Sequence, residues 1–189
     1  SPRSANGAGG SWRPRLARPR GAWPGPRWTV WERRPEDRAR KSQGKKFFLS
    51  IHHDSAQEKY IKRVHGYPCS DAVQGFSIFV SKKNIDYQKS LSYAHVLGSM
   101  LIEEGFRPST HHGEPIKGEN RPLLNPKYGI YQFDDLIVLK QAKAPAVLLE
   151  AAVIINPKDD ARAKSKEYQL GIASAVARTI QFIENPPQN

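Results

Sequence analysis

Phe47-Phe-Leu-Ser-Ile-His-His-Asp-Ser55 is a short apolar run that ends abruptly in two imidazoles and a carboxylate. A buried strand delivers polar side chains to the edge of a sheet in this way. With a side-chain period of 2, Phe48, Ser50 and His52 share one face, and Phe47, Leu49, Ile51 and His53 share the other. His52 and His53 therefore point in opposite directions, and only one of them joins any single site. A second apolar run, Ala144-Pro-Ala-Val-Leu-Leu-Glu150, ends in an acid. Pro145 fits the first residue of that strand, where a missing N–H is tolerated.

Around these two strands the chain alternates element types. Gly75-Phe-Ser-Ile-Phe-Val80 is rich in aromatic and β-branched residues and predicts another strand. Leu91, Ala94, His95, Gly98, Leu101 and Ile102 recur at helical spacing and predict a helix over 86–104, closed by Gly105. His95, set among apolar positions, reads as a satisfied boundary side chain rather than a ligand. Residues 134–139 predict a strand or a short helix leading into one, 158–166 begin a polar helical stretch, 168–183 an amphipathic helix, and 36–46 a short helix before the first strand. Residues 57–71 and 107–133 read as long irregular loops. The second holds His111, His112 and Glu114, whose spacing matches no closed zinc pattern and points first to substrate contact or structure.

The order strand, strand, helix, strand, strand, helix is an α/β pattern, and open α/β sheets bind ligands at the carboxyl ends of their strands. A histidine and a glutamate at neighbouring strand ends are the minimum for metal-assisted hydrolysis. Neutral imidazole binds zinc, and a carboxylate beside it moves a proton from water to a leaving amine. A strand-end salt bridge is the bland reading of Glu150.

Charge is distributed unevenly. Of the net +12, residues 1–46 carry +10 and the remaining 143 residues only +2. The folded part is thus close to neutral, and a nucleic-acid partner is not expected from it. Residues 1–44 hold all four tryptophans and ten arginines among frequent prolines, with no helical or strand period, and read as a disordered basic tail. Cys69 stands alone, so no intramolecular disulfide forms. No run reaches the ~18 apolar residues of a membrane span, and residues 1–10 offer no apolar leader segment.

Phe48-Leu-Ser-Ile-His52-His-Asp-Ser55, followed about a hundred residues later by Pro145-Ala-Val-Leu-Leu-Glu150 and Asn156, resembles the zinc-dependent N-acetylmuramoyl-L-alanine amidases of the amidase-3 type. The resemblance covers residues 36–184. It implies an α/β fold with a twisted mixed sheet flanked by helices, zinc as cofactor and hydrolysis of the muramoyl–L-alanine amide of peptidoglycan. Peptidoglycan and a regulatory protein would be the partners, in the bacterial periplasm or outside the cell. His52 matches a metal ligand and Glu150 the catalytic glutamate, while His112 and Arg121 in the long loop are candidate substrate contacts.

Upstream, the chain departs from that pattern. The family places a histidine in a Gly-rich motif, and then a glutamate, well before the Ser-Ile-His strand. Here no histidine precedes His52, and Glu32 and Glu36 lie too close to it. The expectation is a catalytic domain over 45–185 lacking its opening strand and two ligands, with a weakened zinc site. A non-catalytic remnant that binds cell wall is the alternative.

Overall fold

The computed structural model describes residues 34–116 and 119–186. At its centre runs β7 (Ala146–Val153), an Ala, Val and Leu run buried on both faces, as a strand with neighbours on either side requires. β1 (Phe48–Asp54) lies parallel to it on one side and β4 (Ser77–Val80) antiparallel on the other. β6 (Ile130–Gln132) and β5 (Leu123–Asn125) complete a mixed five-stranded sheet in the order β1-β7-β4-β6-β5. A separate hairpin pairs β2 (Lys62–Val64) with β3 (Tyr67–Cys69).

Strand alternation sorts the side chains into two layers. Ile78, Val80, Val147 and Leu149 pack with Ala94, Leu97 and Leu101 of α2 (Tyr87–Glu103) and Ala175 of α5 (Lys166–Glu184). Phe79, Tyr131 and Leu148 belong to the opposite layer, with Val138 and Leu139 of α3 (Ile137–Lys140). Each fully buried Leu, Ile or Val contributes about 1.5–3 kcal/mol relative to exposure. α2 begins where the Asp86 carboxylate accepts the Lys89 N–H at 3.2 Å, and α5 where Ser165 Oγ accepts the Tyr168 N–H at 3.2 Å. His95 bonds the Leu91 carbonyl at 2.8 Å through Nδ1, a satisfied side chain as its apolar setting suggested.

Beyond β7, Asn156 caps α4 (Pro157–Ala163) by accepting the Lys158 and Asp159 N–H groups at 2.9 and 3.3 Å. Asp159 Oδ2 in turn accepts the N–H groups of Gly75 at 2.7 Å and Val153 at 3.2 Å. This ties the approach to β4 to the end of β7. Only glycine suits position 75: its φ is +96°, and a Cβ there would lie 2.3 Å from the Arg107 carbonyl oxygen.

Several expectations are corrected. β1 runs on to Asp54 and β7 to Val153, so neither His52 nor Glu150 ends its strand; the Ala151-Ala-Val153 that follows Glu150 is apolar and buried and keeps the strand going. Of the two readings of residues 134–139, the short helix is the one present, over Ile137–Lys140. The two long loops contain β2, β3, β5 and β6, each of three residues and too short to show a period. The short helix expected over 36–46 is present, so residues 34–44, also grouped with the tail by composition, are folded. α1 (Pro35–Arg40) carries Pro35, Glu36 and Asp37 in its first turn and packs on α3, and Ser42 Oγ accepts the Lys143 N–H at 2.6 Å. The rest of that tail, 1–33, lies outside the described residues. Among the described residues no helix is long and apolar enough to cross a membrane.

Candidate functional site

Because Leu148, Glu150, His52 and Asp54 all fall on the α3 side of the sheet, they line one cavity of about 410 Å³, bounded by α1, α3 and the 107–133 loop. The cavity gathers all four residues singled out by sequence: His52, His112, Arg121 and Glu150. Arg38, Asp54 and Glu119 line it as well. His53 points to the other face and is exposed.

Glu150 sits mid-strand, opposite His52 on β1 and Ser77 on β4. Its Oε2 is buried without a hydrogen-bond partner, and so is the neighbouring Ser77 Oγ. Burial, helped by the nearby Asp54 charge, pushes the Glu150 carboxyl up to about 7. No ion pair involves it among the described residues, so the salt-bridge reading gains nothing. A carboxyl poised near neutrality with a free oxygen is suited to accept and return a proton.

His52 is already occupied. Its Nε2 lies 2.8 Å from Ser50 Oγ and 3.4 Å from Arg38 Nη1. A guanidinium only donates, so Nε2 is the acceptor and the proton of the neutral ring is on Nδ1. Burial and then the Arg38 charge hold the imidazole below its ordinary value.

A second set of donors meets beside it. His111 and His112 ride on a single 3₁₀ turn, both buried, with ring centroids 3.9 Å apart. His112 Nε2 lies 2.8 Å from Asp54 Oδ2, and its Nδ1 lies 2.8 Å from Glu119 Oε2. His111 Nε2 is 3.2 Å from the same Asp54 oxygen but out of line for a hydrogen bond, and is left without one. Its Nδ1 bonds Ser109 Oγ at 2.7 Å. Burial alone would depress His112, but Asp54 and Glu119 outweigh it and raise the ring to about 9. Burial alone would raise Asp54, yet the two imidazoles hold it down at about 2. One ligand atom from each of Asp54, His111 and His112 falls within 4.8 Å of the others, so this group is able to hold a metal ion. Glu114, adjacent in sequence, turns away to Lys59 at 2.8 Å and to the Tyr60 hydroxyl.

Arg121 completes the wall, its guanidinium 3.5 Å from the Phe133 ring centroid. Arg38, Asp54 and Glu119 are the residues that sequence reasoning missed. Asp54 had a signal: it stands two residues after His52, on the same strand face. Glu119 stands in the 118–122 stretch, which fits the amidase resemblance but gave it no role, and Arg38 had no signal, because a loop and a short helix bring them in only through the tertiary fold.

The profile of a family described as N-acetylmuramoyl-L-alanine amidase matches residues 32–182. Comparison with curated proteins finds no match. Among solved structures, the chain is similar to the N-acetylmuramyl-L-alanine amidase Ami1 of Mycobacterium smegmatis, with TM-score 0.55 and 25% identity over 73% of this chain and 53% of that one. It is also similar to Ami1 of Mycobacterium abscessus, with TM-score 0.61 and 23% identity over 80% of this chain and 61% of that one. An N-acetylmuramoyl-L-alanine amidase of Clostridium difficile shares the fold, with TM-score 0.58 and 16% identity over 82% of this chain and 67% of that one. The chain thus spans between about half and two thirds of the length of these structures.

Proposed function

We propose, because this chain belongs to the N-acetylmuramoyl-L-alanine amidase family, that it hydrolyses the amide joining the lactyl group of N-acetylmuramic acid to L-alanine in peptidoglycan. The observation that carries this reading is Glu150, a carboxyl raised to about 7 with an unpartnered oxygen in a cavity lined by histidine and aspartate donors. Two imidazoles and one carboxylate are a donor set that suits zinc, and the buried, unpartnered nitrogen of His111 fits an absent cation. The chemistry zinc supplies when bound is acidification of water towards a pKa of ~7 and polarisation of a carbonyl.

The rest belongs to the chain's own residues. Glu150 removes a proton from the attacking water as the new C–O bond forms. It then delivers that proton to the alanine nitrogen as the C–N bond breaks, leaving a lactyl carboxylate and a free peptide amine. Arg121, braced on Phe133, offers its guanidinium to a carboxylate of the peptide stem. Peptidoglycan lies outside the cytoplasm, so the site of action is periplasmic or extracellular.

The test is to incubate the zinc-loaded chain with purified peptidoglycan and count newly released N-terminal alanine. Release by the parent chain, and its loss in Glu150→Gln, is the expected result. A chain that sediments with cell walls but releases no amine at any zinc concentration would mark the non-catalytic alternative instead.

A further inference from the structure

We infer that the metal centre of this chain is built from Asp54, His111 and His112, with Glu119 as a positioning residue, and that His52 faces a guanidinium rather than the metal. This rests on the hydrolase reading of the same cavity and assigns its ligands.

Separation is the first argument. Donors around a tetrahedral zinc ion, each at 2.0–2.1 Å, stand about 3.3 Å from one another. Asp54 Oδ2 lies 2.8 Å from His112 Nε2 and 3.2 Å from His111 Nε2, so the carboxylate already sits near that spacing from both rings.

His111 supplies the second. The residue is only 5% exposed, yet its Nε2 has no hydrogen-bond partner. The ring is not adrift: Nδ1 is held by Ser109 Oγ at 2.7 Å, and the Ser109 carbonyl is fixed by the Tyr131 hydroxyl at 2.8 Å. An ion-pair network would be complete with His112 between Asp54 and Glu119. Within it the His111 Nε2 stands 3.2 Å from the same Asp54 oxygen without a hydrogen bond, and a cation bound among the three donors gives that nitrogen a partner.

The third is the carboxylate behind His112. Glu119 Oε2 at 2.8 Å from Nδ1 keeps a proton on that nitrogen and leaves Nε2 for the ion, the arrangement that orients ligating histidines.

At His52, in contrast, Ser50 and Arg38 already address Nε2. A divalent ion there would meet the fixed positive charge of Arg38, while beside Asp54 it meets a carboxylate.

The full chain, stripped of metal, is titrated with zinc chloride by calorimetry and with cobalt chloride by visible absorption. One equivalent is expected, with the intense cobalt bands of a low-coordinate site. Asp54→Ala, His111→Ala and His112→Ala each abolish stoichiometric binding, Glu119→Gln weakens it about 10–100-fold, and His52→Ala and Arg38→Ala retain it. Where an alanine variant does not fold, judged by its melting curve, Asp54→Asn, His111→Asn and His112→Asn replace it and are read in the same way. The assignment is overturned if the parent binds no metal, or if His52→Ala loses the metal while His111→Ala and His112→Ala keep it. Metal held by the triad in a chain that releases no alanine from peptidoglycan supports the ligand assignment and sinks the hydrolase reading alone. Hydrolysis by a chain whose metal depends on His52 does the reverse.

Discussion

Two carboxylates, one within β7 and one in the helix that follows it, are treated in opposite ways. Asp159, 2% exposed, accepts backbone N–H groups from Gly75 and Val153 with one oxygen and locks α4 and β4 to the end of β7. Glu150, nine residues earlier, has an oxygen with no donor and a carboxyl raised to about 7. Both are held by rigid elements. The difference is satisfaction: a buried acid whose lone pairs are engaged by the backbone stabilises a fold, and one left unengaged is free to exchange a proton.

Exchanging their fates is the most direct way to break this contrast. Glu150→Gln should lower kcat for alanine release by about 10²–10⁴-fold with little loss of stability. Activity within a few-fold of the parent would remove Glu150 from the chemistry. At the other carboxylate the loss should fall on stability. Gly75→Ala, strained by its positive φ and driven against the Arg107 carbonyl, should cost on the order of 4 kcal/mol by urea denaturation. A near-neutral result would mean that this corner is looser than described. Asp159→Ala leaves two backbone donors without their acceptor and should cost about 3 kcal/mol, while the folded fraction keeps the parent's kcat.

The smallest effect is set by pH. Folded Glu150 holds its proton up to about 7, above the ordinary 4.5 of an unfolded glutamate. The stability from that tighter hold is fully present below pH 4.5 and is lost as pH rises to about 7. Metal-free Glu150→Gln should therefore melt above the metal-free parent at pH 8, with the gap closing by pH 4.5. After discounting for partial exposure the gap is about 1 kcal/mol, or roughly 2–4 °C. In the loaded parent a cation held beside Asp54 pulls the Glu150 carboxyl below its metal-free value, so kcat/KM should rise with pH across the acid range and then level off, as a base requires. A kcat/KM that falls as pH rises through that range would count against Glu150 in that role.

Much of the frame was legible in the sequence because it is written in local periods. The alternation in Phe47–Ser55 correctly put His52 and His53 on opposite faces, and the spacing of Leu91, Ala94, Gly98 and Leu101 outlined α2. Glu150 was picked out as an acid closing an apolar run, although the run continues past it. What stayed hidden has no local period. β5 and β6 are three residues each, and Tyr131 is fully buried there only because β4 and α3 close over it. Asp54 and His112 are 58 residues apart, so their meeting is a property of the tertiary fold. Arg38 fell within a stretch dominated by tail composition, and nothing local distinguished it from the arginines before it.

The single 3₁₀ turn that carries His111 and His112 has a consequence for how such a centre could arise. Two neighbouring donors on one rigid turn behave as a chelating arm: once one ring engages an ion, the other is already within reach, and little further ordering of the chain is required. A pair of this kind can be acquired or lost as one short loop cassette. The sheet beneath need contribute only Asp54, which makes the ligand set portable in a way that donors scattered over several strands are not.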